Sequence, residues 1–312
     1  MKKIIILSKL FVLTVVMASV ASAQPARNPP GGDPAFAPGG ALSCLGCHNQ
    51  DSAPQILQTA HAVRADSRTP FADHDCESCH GASPEHRRQP RIPVTVVFNG
   101  VTADVEESPV AAQNQACLSC HESGARMHWR GSAHDFAELP CTACHDIHAR
   151  QDSVLATITQ PNVCFGCHVE QRAQLQRRSH HPVREGLMTC SDCHNSHGSV
   201  ADNLLSASNL LEACTECHAE KRGPFLWEHQ PVSEDCTNCH NPHGSTQARL
   251  LSVRQPFLCQ GCHQEVFHPS SLYSGTGVPP AGAAQQLLGQ SCTNCHSQVH
   301  GSNHPSGSRL TR

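Results

Sequence analysis

Apolar and polar residues follow a regular pattern over only a few short stretches of this chain. Residues 170–178 and 203–213 have the spacing of short amphipathic helices. Residues 94–98 and 101–105 are rich in valine and flank Asn99-Gly100, which predicts a two-residue β-hairpin near 94–105. The remaining stretches are too short to build sheets. The pattern therefore predicts a chain that is mostly coil with short α-helices.

The longest apolar run, residues 10–18, stands at the amino terminus behind Lys2, Lys3 and Lys9. It is followed by Ala21-Ser22-Ala23, so residues 1–23 are interpreted as a signal peptide cleaved before Gln24. A membrane anchor would need about 20 apolar residues. Residues 24–43 contain five prolines and four glycines and are expected to form an extended leader. The mature protein is therefore expected to be exported.

Composition leaves little material for an ordinary core, because aromatic residues make up only 4% of the 312 residues. Cysteine and histidine are abundant instead, at 20 and 24 residues. The formal net charge of -4 gives no reason to expect a nucleic-acid partner. The interior must come from disulfides, metals or a cofactor.

Every cysteine belongs to a C-x-x-C-H motif, and the motif occurs ten times. This motif attaches c-type haem: two thiols bind the porphyrin edge, and the adjacent imidazole ligates the iron. Disulfides or structural zinc would explain paired cysteines but not a histidine after every pair. The sequence therefore predicts ten covalent haems. The attachment residues are Cys44, Cys47, Cys76, Cys79, Cys117, Cys120, Cys141, Cys144, Cys164, Cys167, Cys190, Cys193, Cys214, Cys217, Cys236, Cys239, Cys259, Cys262, Cys292 and Cys295, and the proximal ligands are His48, His80, His121, His145, His168, His194, His218, His240, His263 and His296.

The second axial ligand of each iron is predicted to be histidine. Only two of the four methionines follow the signal peptide, whereas fourteen histidines lie outside the motifs. Two imidazoles per iron predict closed, low-potential centres that pass electrons and do not readily bind substrate. The candidate distal ligands are His61, His86, His134, His148, His180, His197, His229, His243, His268 and His300, which leaves His74, His128, His181 and His304 as spare residues.

Two of these choices remain open at this point. His180 is preferred to His181 because Ser179-His180-His181-Pro182-Val183 resembles the sequence around His229. His300 and His304 are similarly hard to separate.

The motifs group into five two-haem modules, because alternate motifs recur at intervals of about 47 residues after a longer first interval. The modules are 44–116, 117–163, 164–213, 214–258 and 259–312, which together form one decahaem domain, 44–312.

A histidine that follows a proximal histidine by three residues lies on the same side of that haem, so it is expected to ligate a neighbouring iron. The expected fold is a multihaem cytochrome c in which coil and short helices wrap a stack of haems, with the 94–105 hairpin covering a haem edge or forming a docking surface.

The motif count, the histidine pairing and the signal peptide resemble the decahaem c-type cytochromes of the MtrA/DmsE family. The specific stretches are residues 179–186, 190–198 and 292–305. The resemblance implies a periplasmic cytochrome held inside an outer-membrane β-barrel porin. It would carry electrons between periplasmic carriers and an extracellular cytochrome, oxidoreductase or mineral, in either direction.

Two other functions fit a multihaem chain. One is a soluble periplasmic electron shuttle or store without a barrel. The other is a multihaem reductase, which needs one iron with an open position and nearby acid or base groups. All ten motifs end in histidine, so an electron-transfer cytochrome rather than an enzyme is expected.

Overall fold

The computed structural model describes residues 35–50, 52–98, 105–263 and 290–311. The α-helices of these ranges are all short. They are α1 (Ala41–Leu45), α2 (Glu77–His80), α3 (Pro84–Arg88), α4 (Val110–Leu118), α5 (Ala133–Phe136), α6 (Gln160–Cys164), α7 (Val169–Leu175), α8 (Leu210–Thr215), α9 (Gln230–Glu234) and α10 (Phe257–Gln260).

Single 3₁₀ turns make up most of the other regular structure. They are Ala53–Gln58, Ala60–Ala62, Pro70–Ala72, Gly124–Arg126, Cys141–Ala143, Ser153–Leu155, Cys190–Asp192, Asp202–Leu204, Ala219–Lys221, Cys236–Asn238, Ala248–Leu250 and Cys292–Asn294. Across the described ranges there is no strand, only isolated antiparallel bridges such as Ser179 with Ser245. None of the helices in these ranges is long and apolar enough to cross a bilayer. The expected mostly coil fold is confirmed.

The predicted helix at 170–178 is confirmed as α7, but the prediction at 203–213 is only partly right. There α8 begins at Leu210, because Asn203 and Leu204 have φ of 54° and 56°, in the left-handed region that interrupts a helix.

The first half of the predicted hairpin does not form a strand, and its turn and most of its second half, 99–104, lie outside the described residues. Instead, residues 94–98 cross over His80. The Val96 carbonyl oxygen accepts from the His80 ring at 3.2 Å, and Phe98 lies edge-on to that ring at 5.3 Å between centroids. This segment covers a histidine of the second motif.

Residues 35–43 of the predicted leader are folded against the rest of the chain, while 1–34, including the predicted signal peptide, lie outside the described residues. Residues 35–40 turn into α1 and are anchored to the 75–87 region. The Ala37 N–H donates to Glu77 at 2.6 Å, and the Ala41 N–H donates to Asp75 at 2.7 Å. These two buried carboxylates accept hydrogen bonds from the backbone N–H groups and so hold the segment against the domain.

Apolar packing in the described ranges is sparse, as the composition predicts. The hydrophobic cluster consists of Phe165, Leu175 and Val183, with Met188 packed against it. The ten buried apolar residues of the described ranges are too few to supply the core of a domain this long, since a domain of ordinary size depends on one continuous apolar interior. The interior must therefore be completed by a bound group.

Candidate haem sites

Each of the ten motifs forms one helical turn. In every motif the N–H of the histidine donates to the carbonyl oxygen of the first cysteine, four residues earlier, at 2.9–3.1 Å. The odd-numbered motifs lie at the end of an α-helix. Motif two forms α2, and motifs four, six, eight and ten each begin with a 3₁₀ turn. This turn gathers two thiols and an imidazole in one place, as attachment of one porphyrin requires.

Nine of the described histidines outside the motifs each lie opposite one proximal histidine. Nine pairs have ring centroids 6.0–6.4 Å apart. They are His48 with His86, His80 with His148, His121 with His61, His145 with His197, His168 with His134, His194 with His243, His218 with His181, His240 with His300, and His263 with His229.

This separation fits an iron bound between the two rings. An imidazole nitrogen lies about 1.1 Å from its ring centroid and binds a metal at about 2.0 Å, so two rings in line across one iron have centroids about 6.2 Å apart. Two rings in direct contact would stack much closer, as His74 and Phe36 do at 3.7 Å. The pairs therefore leave space for one metal ion each. Elsewhere among the described residues, no cluster of three or more histidine, cysteine, aspartate and glutamate side chains could hold a metal ion.

Hydrogen bonds orient many of these rings in the same sense. Nδ1 donates to a backbone carbonyl oxygen at 2.6–3.2 Å and leaves Nε2 for a metal, because the bond at one ring nitrogen fixes which nitrogen ligates. The bonds run from His80 to Val96, His86 to Ile92, His134 to Ser196, His181 to Pro242, His194 to Asn203, His229 to Val299, His240 to Arg249, and His296 to Arg309.

Burial favours the neutral imidazole, which is the form that binds metal. It is the leading cause that lowers the pKa of six of the paired histidines. These are His61, His80, His121, His197, His243 and His300.

The structure places His181, and not the preferred candidate His180, opposite a proximal histidine. His181 faces His218 and donates from Nδ1 to the Pro242 carbonyl oxygen. Both ring nitrogens of His180 are already engaged, Nδ1 with the Arg177 carbonyl oxygen and Nε2 with Glu185 at 3.2 Å. His180 therefore has no nitrogen left for a metal.

Of His300 and His304, it is His300 that lies opposite a proximal histidine, His240. His304 instead uses Nδ1 to accept from the Ser306 N–H. The candidate His268 lies outside the described residues, so its position relative to His296 stays a prediction.

The first cysteines of the two motifs in each module are neighbours. A hydrogen bond with Cys76 lowers the pKa of Cys44 to about 7, and one with Cys164 lowers the pKa of Cys190 to about 7. The same proximity relates the remaining three modules through Cys117 and Cys141, Cys214 and Cys236, and Cys259 and Cys292.

Between modules the second cysteines are near enough to affect each other's charge. Burial, and after it the neighbouring Cys120, raises the pKa of Cys79. The corresponding neighbours at the other junctions are Cys144 with Cys167, Cys193 with Cys217, and Cys239 with Cys262. Successive motifs are therefore neighbours along the whole series, through their first cysteines within a module and through their second cysteines between modules.

Known proteins share this arrangement of motifs. A sequence profile of the doubled CXXCH motif matches residues 180–223 and 229–268, and a profile of NrfB-like cytochrome c-type proteins matches residues 76–160. The multiheme cytochrome MtrA of Shewanella baltica is 46% identical over 280 residues, 89% of this chain and 83% of that protein. This chain belongs to the MtrA family of multihaem cytochromes.

More distant relatives agree with that membership. The cytochrome c-type protein NrfB of Escherichia coli is 30% identical over 42% of this chain and 66% of that protein, and the C-type polyheme cytochrome OmcB of Geobacter sulfurreducens is 24% identical over 70% of this chain and 28% of that protein. As an MtrA-family protein, the chain is a haem c-binding electron-transfer cytochrome and not an enzyme, as the sequence predicts.

Proposed function

We propose that the chain carries ten haems and that two histidines clamp each iron. The nine ring pairs at 6.0–6.4 Å support nine of these ligand sets. His268 is proposed as the partner of His296. This assignment leaves four spare histidines, which are His74, His128, His180 and His304.

The ligand sets exchange histidines across every junction between the proposed modules. His61, from the first module, faces His121 of the second, while His148, from the second, faces His80 of the first. The same exchange recurs at the next three junctions. The first module also pairs His48 with His86 internally, and an internal pair of His268 and His296 would make the last module its counterpart.

The neighbouring cysteines support a single file of haems in the order of the sequence. Motifs one and two are neighbours through Cys44 and Cys76, motifs two and three through Cys79 and Cys120, and the alternation continues to the tenth motif. Each bound haem would accept and release one electron at its iron. Since the protein fixes neighbouring attachment points side by side, electrons can tunnel from one end of the file to the other.

We further propose that this file crosses the outer membrane inside a β-barrel partner. Residues 1–23 would direct export to the periplasm, residues 24–43 would lead into the domain, and residues 44–312 would form the conducting domain. The motifs that resemble the MtrA/DmsE cytochromes support this role, as does the 46% identity to MtrA. The chain would connect periplasmic electron carriers to an extracellular cytochrome, oxidoreductase or mineral.

A vesicle experiment tests the conduit. The tagged chain would be purified from solubilised outer membranes with any bound proteins and reconstituted into sealed vesicles that contain reduced methyl viologen. Addition of an impermeant external oxidant should oxidise the internal dye, and a barrel-forming polypeptide should be present in stoichiometric amount. Recovery of the chain alone in the periplasmic fraction, with no dye oxidation, would contradict the conduit and favour a soluble shuttle.

A further inference from the structure

Among the five proximal histidines of the even-numbered motifs, one has a different hydrogen-bond acceptor for its Nδ1–H. All five lie in the described part of the chain, and four of them donate Nδ1–H to a backbone carbonyl oxygen; these are His80, His194, His240 and His296. In the fifth, His145 donates to the Asp152 carboxylate at 2.6 Å. Module two therefore replaces a neutral acceptor with an anionic one at an equivalent place.

The Asp152 carboxylate is held firmly in this position. Oδ1 accepts from the Val154 N–H at 3.2 Å and from the Asp146 N–H at 3.3 Å, while Oδ2 accepts from His145. The Asp152 side chain is only 11% exposed, so water screens the interaction weakly. The carboxylate also caps the 3₁₀ turn Ser153–Leu155. Its geometry is thus fixed by the local backbone.

We propose that Asp152 is a positioning residue that acts through His145 and makes the haem attached to Cys141 and Cys144 the lowest-potential member of the five even-numbered haems. This inference rests on the proposed ligation by His145. A carboxylate partner raises the basicity of a metal-bound imidazole, and a charge-assisted hydrogen bond is about twice as strong as a neutral one. The more basic ligand favours Fe(III) over Fe(II) in this one-electron couple.

The position of this haem gives the bond a consequence for conduction. It is the fourth haem in the sequence-ordered file, so an electron must pass it to travel between haems one to three and haems five to ten. A low-potential centre raises the energy of an electron at that point. By lowering the potential of this haem, Asp152 makes it less favourable for an electron to enter the one centre that joins a three-haem segment to a six-haem segment.

The test compares Asp152→Asn with the matched control Asp146→Asn in the haem-loaded protein. Both changes remove one carboxylate near His145, but Asp146 is exposed and accepts from the Ala149 N–H rather than from an axial ligand. In a spectroelectrochemical titration, Asp152→Asn should change the ratio of reduced to oxidised iron about tenfold for one haem in ten, a shift of about 59 mV to higher potential. Asp146→Asn should change that ratio less than threefold.

Two further measurements separate this inference from the proposed ligation. Asp152→Glu keeps the negative charge, so the potential of this haem should rise by less than half as much as in Asp152→Asn. All variants should keep ten low-spin haems by electron paramagnetic resonance and absorption spectroscopy. Equal shifts in Asp152→Asn and Asp146→Asn, or loss of one low-spin haem in Asp152→Asn, would overturn the role of Asp152. A high-spin haem already present in the unaltered protein at His145 would instead refute the proposed ligation.

Discussion

His134 donates its Nδ1–H to the backbone carbonyl oxygen of Ser196 at 2.7 Å, and Ser196 immediately precedes His197. The ring of His134 faces His168, while the ring of His197 faces His145. One hydrogen bond therefore links the proposed distal ligands of two consecutive haems. We call this arrangement the ligand clasp. It recurs at the following junctions as His181, Pro242 and His243, and as His229, Val299 and His300.

A glycine follows the second histidine of the clasp, and it allows the chain after His197 to pass close to the backbone of His128. Gly198 has φ of +107°, and a Cβ atom there would collide with the carbonyl oxygen of His128. Gly198→Ala should therefore displace both His197 and His134, and two of the ten haems should become high-spin. Absorption and electron paramagnetic resonance spectra of the purified protein measure this fraction.

Gly131→Ala is the matched control, because Gly131 has φ of +81° but open space around its missing Cβ. It should cost about 1–2 kcal/mol of stability from backbone strain and leave all haems low-spin. If Gly198→Ala affected one haem or none, the two ligands of the clasp would not be linked.

The second prediction separates adjacent histidines. His181→Ala should open one iron, because His181 faces His218, whereas His180→Ala should open none. Carbon monoxide added to the reduced protein should bind one haem per chain in His181→Ala and no haem in His180→Ala. Binding in the second variant alone would return the ligand role to His180.

The third prediction concerns the strength of an axial ligand. His229→Met should raise the potential of the haem attached at Cys259 and Cys262, because a methionine ligand favours Fe(II) more than imidazole does. The change should exceed about 59 mV, a tenfold change in the one-electron equilibrium. The redox titration should shift for one-tenth of the haem absorbance, and an unchanged titration would remove His229 from the ligand set.

The fourth prediction concerns the anchored segment before the first motif. Glu77 is buried and accepts from the N–H groups of Ala37 and Ser83 at 2.6 and 3.0 Å. Glu77→Gln should lower the free energy of local unfolding by about 1–3 kcal/mol, since the amide provides only one acceptor oxygen and has no charge. Hydrogen exchange at the Ala37 and Ser83 amides should accelerate about tenfold. Glu85→Gln, which alters an exposed pair with Arg88, should leave both rates unchanged.

The sequence predicts the haem-binding turns of this fold well, because their spacing is local. Every motif closes the same hydrogen bond between residues four apart, so the attachment geometry depends on five consecutive residues. The pairing of rings could be anticipated only in part. A histidine three residues after His145 cannot reach across the same haem, and the structure indeed brings His148 to His80.

The choice between His180 and His181 depends on the hydrogen-bond partners that the fold gives each ring. The Pro242 carbonyl oxygen orients His181 from 61 residues away, while Glu185 occupies Nε2 of His180. No local pattern reveals such partners. The sequence does not reveal the partnership of Asp152 with His145 either, since an aspartate seven residues after a histidine carries no general signal. The His-Gly dipeptides at 197–198, 243–244 and 300–301 are the repeated signal that would have indicated the clasps.

The positions of the irons in the haem-loaded protein test the account most directly. Anomalous diffraction at the iron absorption edge locates each iron independently of the chain tracing. Ten irons should lie in single file in the order of the motifs, with each of the nine described ring pairs centred on one iron. Fewer than ten irons, a branched or interrupted file, or an iron bound by a different pair of side chains would contradict it.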